Sequence, residues 1–117
     1  MPRGTLRMKL PNGANALVEQ RKLLDYVLNP DHPKGCHHAA LFRDLLGITA
    51  ANWIELRDAL LAAALSEDVL PGQSSPFGQK YEMRVSFTGP AGTKAVLAVW
   101  LIEDNNPRPR LITCYVE

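Results

Sequence analysis

Hydrophobic residues in the first part of the chain recur at the spacing of α-helices in three stretches. The stretches are residues 15–28, about 34–46, and 50–65. Apolar residues at this spacing lie on one face of a helix and form a stripe that can pack on a core. The stripes comprise Leu17, Leu24, Val27 and Leu28, then Leu41, Phe42, Leu45 and Leu46, and then Trp53, Leu56, Leu60 and Ala64. The pattern therefore predicts three amphipathic helices.

The residues at the ends of these stretches are typical of helix boundaries. Asn15 is suited to cap the first helix, and Asn29 before Pro30 ends it, because the residue before a proline is pushed out of the α region. Gly47 fits the position just after the second helix, where a left-handed backbone is common. Thr49 is suited to cap the third helix. We therefore expect short connections between the three helices.

The hydrophobic pattern changes to the period of a β-strand in the last part of the chain. Residues 81–88 alternate between apolar and polar, which is typical of a half-buried strand. Residues 89–92 (GPAG) predict a hairpin connection, and residues 94–102 are apolar at almost every position, which predicts a central strand covered on both faces. Residues 103–109 predict a turn, and residues 110–116 predict the last strand.

These elements predict an α+β domain in which three N-terminal helices pack on a C-terminal antiparallel sheet of three to four strands. We interpret residues 1–117 as a single domain, with an N-terminal arm over 1–14 that holds at most a short strand. The helical part covers 15–65 and the β-meander covers 79–116. Between them, residues 71–78 (PGQSSPFG) have the composition of a loop.

Composition limits the functions that this domain could have. The chain has 117 residues, is 46% hydrophobic and 21% charged, and carries a formal net charge of +1. Such a charge does not favour nucleic acid globally, so an anionic ligand would need a local cluster of donors. Only two cysteines occur, and no apolar run is long enough to span a membrane. We therefore expect a cytoplasmic protein without a membrane partner.

One candidate site lies at the start of the second predicted helix. Residues 32–38 contain all three histidines, namely His32, His37 and His38, together with Lys34. Free backbone N–H groups at a helix start attract anions, and histidine transfers protons near neutral pH. A simpler interpretation remains open, in which this segment only caps and turns the chain. The adjacent ligand types diverge around the helix, so we expect no metal site.

The last strand provides a second candidate site. Strand alternation places Thr113 and Tyr115 on one face, with Arg110 at the strand's start and Cys114 on the opposite, apolar face. If the hydroxyl face meets the second helix, a histidine, an arginine and two hydroxyl groups would surround one point and could bind a phosphodiester. An edge strand with its polar face in water is the alternative. Cys114 is expected to be a buried thiol and not a nucleophile.

Several strings in the chain resemble a bacterial family known as domain of unknown function 6883. The similar strings are LPN at residues 10–12, the LNPxHPxG pattern at 28–35, and PRLITCY at 109–115. The order of elements and the final Thr-x-Tyr strand are also similar to the barnase, colicin and RelE group of ribonuclease toxins. Relatives resemble the C-terminal domains of polymorphic toxins. The likeness to ribonucleases is an analogy of fold.

The resemblance marks six residues: His32, Gly35, His38, Arg110, Thr113 and Tyr115. Where related sequences tend to have a lysine, this chain has His38. If that lysine is the family's phosphate-binding or catalytic cation, two interpretations remain open: His38 replaces it with a group that can titrate, or the site is degraded.

From these residues, together with the similarity to ribonuclease toxins, we predict a metal-independent, cofactor-free ribonuclease-like toxin domain. His38 or His37 would transfer protons, Thr113 and Tyr115 would assist, and the phosphate would be bound by His32, Lys34 and Arg110. The partners would then be an RNA substrate and a neutralising antitoxin or immunity protein. The alternative hypothesis is a non-enzymatic module, the antitoxin, immunity or adaptor half of such a pair, that binds a protein through a helix surface or a strand edge.

Overall fold

A five-stranded antiparallel sheet forms the base of the fold in the computed structural model, which describes residues 8–117. The strands lie side by side in the order in which they occur in the chain. They are β1 (Met8–Lys9), β2 (Asp68–Ser75), β3 (Gly78–Gly89), β4 (Gly92–Glu103) and β5 (Asn106–Val116). The first seven residues of the predicted N-terminal arm lie outside the described residues.

Three helices lie between β1 and β2 in the chain. Helix α1 begins as Gln20–Lys22 and continues with a wider, π-helical turn over Leu23–Val27. Helix α2 begins as Cys36–Leu41 and likewise continues over Phe42–Leu46. Helix α3 (Trp53–Ser66) follows a short 3-10 turn. The predicted α+β class is thus confirmed.

The helices and the sheet share one hydrophobic core. On the helices, the fully buried side chains include Leu23, Val27, Phe42, Leu56 and Leu60, which belong to the predicted stripes or adjoin them. The sheet contributes one face of its three long strands, namely Met83 and Val85 of β3, Val96, Ala98 and Trp100 of β4, and Leu111, Cys114 and Val116 of β5. Burying these apolar surfaces supplies the main stabilisation of the domain.

Two details of the predicted architecture are wrong. The helices do not all precede the strands, because β1 comes first and pairs with the start of β2. The sheet has five strands instead of three to four, because β2 occupies most of the segment predicted as a loop, residues 71–78. Strand β2 is interrupted by a register shift between Pro71 and Ser74. Beyond Asp68 and Val69, which pair with β1, the outer side of β2 needs no ladder hydrogen bonds, so this part of the strand can contain proline and glycine.

The first helix begins later than Asn15. Leu17 instead forms a parallel bridge to β5, in which its N–H donates to the Pro109 carbonyl at 2.8 Å and its carbonyl accepts from the Leu111 N–H at 3.0 Å. These bonds satisfy backbone groups that a helix would otherwise pair internally. The N-terminal segment therefore protects part of the outer edge of β5 before α1 begins at Gln20.

The residues predicted to end α2, to cap the next helix and to form the β3–β4 hairpin do so, whereas the turn predicted over residues 103–109 is too long, because β5 already begins at Asn106. Gly47 ends α2 with a left-handed backbone (φ 69°), and the Thr49 side chain accepts a hydrogen bond from the Ala51 N–H at 3.2 Å. The Gly89–Gly92 hairpin joins β3 to β4 and packs on the end of α2, where the Ala91 N–H donates to the Leu45 carbonyl at 3.2 Å. The hairpin therefore fixes one end of α2 against the sheet.

The sheet face opposite to the core carries no helix. Its side chains form three cross-strand rows over β3, β4 and β5: Lys80–Leu101–Arg110, Glu82–Val99–Thr113 and Arg84–Leu97–Tyr115. Strand β4 is central, as predicted, but the expectation that helices or other elements cover both faces is wrong. Leu97 is buried without belonging to the core cluster, and Val99 and Leu101 are half-buried. We call this surface the open face.

Candidate active site

The loop before α2 is shaped by His32. Its Nδ1 atom accepts hydrogen bonds from the backbone N–H groups of Lys34 and Gly35, each at 3.0 Å. Its ring meets the Tyr26 ring edge-on, with the centroids 4.7 Å apart. An imidazole nitrogen accepts hydrogen bonds only when it carries no proton. His32 therefore organises the loop, and its Nδ1 atom is occupied by the protein's own backbone.

The other two histidines lie in different environments on α2. His37 and, in the preceding loop, Lys34 are exposed. His38 is half-buried, and its ring lies against the ring of Tyr115 on β5, with the centroids 5.3 Å apart and the planes inclined by 31°. This contact joins the second predicted helix to the last predicted strand.

The hydroxyl groups of β5 have the arrangement that strand alternation predicts. Thr113 and Tyr115 lie on the open face, opposite to the buried Cys114 and Val116. Because they are two residues apart on the strand, their Cα atoms are about 7 Å apart. A bulge places an extra residue, Ile112, between Thr113 and the start of the strand, so that Arg110 also belongs to the open face.

Arg110 lies away from this contact and is bound by two carboxylates. Its Nη2 atom is 3.4 Å from Glu103 Oε1, and its Nη1 atom is 4.0 Å from Glu19 Oε1. The cross-strand row that contains Arg110 crosses β4 four positions away from the row that contains Tyr115, a distance of about 13 Å. The arginine that sequence reasoning assigned to the phosphate is thus remote from the His38–Tyr115 contact.

Arg84 is the cation that shares the row of Tyr115, and sequence reasoning missed it. Its Nε and Nη2 atoms donate to the two Glu117 carboxylate oxygens at 2.7 and 3.0 Å. These bonds raise the pKa of Arg84, and Tyr115 contributes in the same direction. The alternation over residues 81–88 already placed Arg84 on the polar side of its strand. Its proximity to Tyr115 depends on the pairing of β3, β4 and β5, which no local pattern reveals.

The structure therefore brings together His38, Tyr115, Thr113 and Arg84, a group that we call the His38–Tyr115 site. It does not bring His32, Lys34 or Arg110 into the same contacts.

The remaining chemically reactive groups lie elsewhere. Cys114 is buried in the core, and burial raises the pKa of its thiol to about 12. Within residues 8–117, no three side chains of the histidine, cysteine, aspartate or glutamate types lie close enough together to hold a metal ion. No helix in the same range is long and apolar enough to cross a membrane.

The fold and the site define an α+β domain with a histidine–tyrosine contact at the edge of an antiparallel sheet. The chain belongs to the family described as domain of unknown function (DUF6883), whose model matches residues 9–117. The family resemblance of the LNPxHPxG and PRLITCY strings is thereby confirmed. No curated protein and no solved structure gives a significant match to the chain.

Proposed function

We propose that the chain is a metal-independent endoribonuclease-like domain that acts at the His38–Tyr115 site. The observation that carries the proposal is the contact between the His38 and Tyr115 rings at 5.3 Å. In this contact a group that can accept a proton near neutral pH lies beside a hydroxyl donor, at the β5 edge of the open face. Thr113 adds a second hydroxyl on the same face.

The proposed reaction needs no nucleophile from the protein, because an RNA 2′-hydroxyl attacks its own phosphodiester. His38 takes the proton from this hydroxyl while the new bond from O2′ to phosphorus forms. The bond from phosphorus to O5′ breaks, Tyr115 gives its proton to the leaving oxygen, and the His38 imidazolium later restores the tyrosine. The products are a 2′,3′-cyclic phosphate and a 5′-hydroxyl.

Charge developing on the phosphate requires hydrogen-bond donors and a cation. Thr113 is two residues from Tyr115 on the same face of β5, about 7 Å along the backbone, and its hydroxyl would donate to a phosphate oxygen. Arg84 supplies the positive charge of the site once its guanidinium exchanges the Glu117 carboxylate for phosphate. Lys34, His32 and Arg110, the cations expected from the sequence, would contact more distant parts of an RNA strand.

The proposal is tested by incubating the purified protein with total RNA in excess chelator. We expect the parent protein to cleave RNA and the His38→Ala variant to be slower by about 10²–10⁴-fold, the usual contribution of a general base. His37→Ala is the matched control, because His37 is exposed on the same helix. Far-UV circular dichroism and the thermal midpoint establish that each variant folds. Equal cleavage by the parent and a folded His38→Ala variant would contradict the proposal.

Tyr115→Phe separates the hydroxyl from the ring. The phenylalanine ring preserves the packing on His38, so we expect the fold to persist while cleavage falls by up to about 10²–10³-fold, as for the loss of one transition-state donor. Full activity in this variant would remove Tyr115 from the mechanism.

A non-enzymatic protein-binding module is the second candidate function, and exposed apolar side chains favour it. Phe77 is 74% exposed and lines one groove with the half-buried Leu101, and Leu70 is 48% exposed in the row of Glu82 and Val99. Contiguous apolar surface is typical of interaction sites. If neither the parent nor any variant cleaves RNA, the search for an antitoxin, immunity or adaptor partner becomes the next step.

A further inference from the structure

A groove of about 530 Å³ lies on the open face, at the end opposite to the His38–Tyr115 site. Leu101 lines it, and Lys80 and Arg110 flank Leu101 in the same cross-strand row. Polar residues at the end of β2 and Phe77 in the turn before β3 complete its wall. None of these groups takes part in the reaction proposed above.

Phe77 presents an exposed ring on a fixed backbone. Its N–H donates to the Ser75 hydroxyl at 3.1 Å, and its carbonyl accepts from the Asp104 N–H at 3.1 Å. The ring is nevertheless 74% exposed, the largest exposed fraction among the big apolar side chains within residues 8–117. An aromatic ring held in this way offers a flat surface on which a planar group can stack, at little cost in conformational entropy.

The cations of the groove favour an anionic group beside that surface. Within the described part of the chain, Lys80 has no carboxylate or hydrogen-bond partner for its ammonium group. Arg110 pairs with Glu103 at 3.4 Å and with Glu19 at 4.0 Å, so its charge is balanced within the protein, and the Lys80 ammonium group is the cation of the groove that remains for an anionic ligand. A base on Phe77 and Leu101 with its phosphate at Lys80 would satisfy both the apolar and the charged parts of the groove.

We infer that this groove is a nucleotide-binding subsite for single-stranded RNA, in which Phe77 stacks a base and Lys80 contacts its phosphate. The inference rests on the proposed function, because it places the substrate along the open face. The row of Lys80 lies about 13 Å from the row of Tyr115, four residues away along β4. A few nucleotides of an extended strand would connect the groove to the His38–Tyr115 site.

The test measures binding separately from cleavage. A labelled single-stranded RNA with 2′-O-methyl groups throughout cannot undergo 2′-hydroxyl attack, and fluorescence anisotropy reports its affinity. We expect Phe77→Ala to weaken binding by about 5- to 100-fold, the range expected for one lost stacking contact, and Phe77→Trp to preserve it. Ile54→Ala, which removes another exposed apolar side chain on α3, is the matched control and should bind like the parent.

Lys80→Gln tests the phosphate contact. We expect the slope of log affinity against log salt to become shallower by about 0.7, the value for one phosphate of a single strand. Lys94→Gln should leave the slope unchanged, since Lys94 lies on the core side of β4, opposite Phe87. A slope for Lys80→Gln equal to that of the parent would exclude Lys80 from the subsite.

The outcomes distinguish the subsite from the nuclease. If His38→Ala loses cleavage while Phe77→Ala binds the methylated RNA like the parent, the subsite is overturned and the nuclease stands. If binding depends on Phe77 although neither the parent nor any variant cleaves RNA, the subsite stands and the nuclease proposal fails. If the parent binds no RNA, the inference is overturned and the groove is left to a protein segment.

A dinucleotide substrate should be cleaved equally by the parent and Phe77→Ala, whereas on longer RNA Phe77→Ala should raise KM with little change in kcat.

Discussion

One of the two cysteines is half-buried and the other is fully buried, and the buried one makes stability depend on pH. Burial of Cys114 in the core raises the pKa of its thiol to about 12. In the unfolded chain the thiol loses its proton near pH 9, so above that pH the unfolded state binds fewer protons than the folded state. The contribution of Cys114 to stability is therefore complete below about pH 9 and is lost progressively as the pH rises toward 12.

We predict that the free energy of unfolding falls more steeply between pH 9 and 10.5 in the parent than in Cys114→Ala. The difference in slope should approach about 1.4 kcal/mol per pH unit, the value for one proton. Urea unfolding at a series of pH values measures it, and Cys36→Ala, at the half-buried cysteine, should behave like the parent. Parallel curves for the parent and Cys114→Ala would show that the thiol is accessible to solvent in the folded state.

The sequence predicted the positions of some site residues and not of others. The shared face of Thr113 and Tyr115 follows from strand alternation, and the structure has it. The sequence predicted that a histidine lies near Thr113 and Tyr115 only if the second helix meets the hydroxyl face of the last strand. The contact of His38 with Tyr115 shows that α2 does meet the edge of β5. Arg84 could not be assigned, since its position beside Tyr115 depends on the register of three strands. Local patterns define the face of a side chain, whereas its neighbours depend on long-range pairing.

At the scale of elements, hydrogen bonds within a few residues were predictable and distant ones were not. The Thr49 cap, the left-handed Gly47 and the Gly89–Gly92 hairpin each depend on neighbouring residues, and all three are confirmed. The extended segment at Leu17 depends on a partner far away in the chain, β5, whereas β2 pairs with the adjacent β3 although its proline, glycine and serine residues have the composition of a loop. Tertiary pairing there outweighs the local preference for helix or loop.

The loop before α2 offers a test of local structure. His32→Ala removes the acceptor of two backbone N–H groups, so we predict a loss of about 0.5–2 kcal/mol in the free energy of unfolding, as for other lost caps. His32→Asn should recover most of this loss, because its side-chain oxygen can accept the same bonds. Chemical denaturation measures the change, and exposed His37→Ala should shift it by less than about 0.5 kcal/mol.

The same pair of variants separates a structural role from a phosphate-binding role for His32. A histidine that only organises the loop can be replaced by asparagine without loss of RNA cleavage. If His32→Asn is as stable as the parent yet cleaves RNA poorly, the imidazole serves the substrate directly.

At the scale of the whole molecule, the charges are mostly paired with one another. Among the arginines of residues 8–117, five contact carboxylates, namely Arg21, Arg43, Arg57, Arg84 and Arg110. The net charge of +1 is therefore not concentrated into a strongly positive surface. RNA would have to exchange protein carboxylates for phosphates at the open face, and the ion pair of Arg84 with Glu117 lies directly in the row of Tyr115.

Because Glu117 competes with phosphate for Arg84, we expect it to lower the affinity of the protein for RNA. Glu117→Gln removes the charge that competes with phosphate for Arg84 and retains a side chain of the same shape. We predict tighter binding of 2′-O-methyl RNA and a salt dependence that is steeper by about 0.7, corresponding to one additional phosphate contact on a single strand. Arg84→Gln combined with Glu117→Gln should abolish this gain, because no guanidinium is left to accept the phosphate. If Glu117→Gln binds with the affinity and salt dependence of the parent, the strand does not reach Arg84, and the cation of the proposed active site must come from another residue.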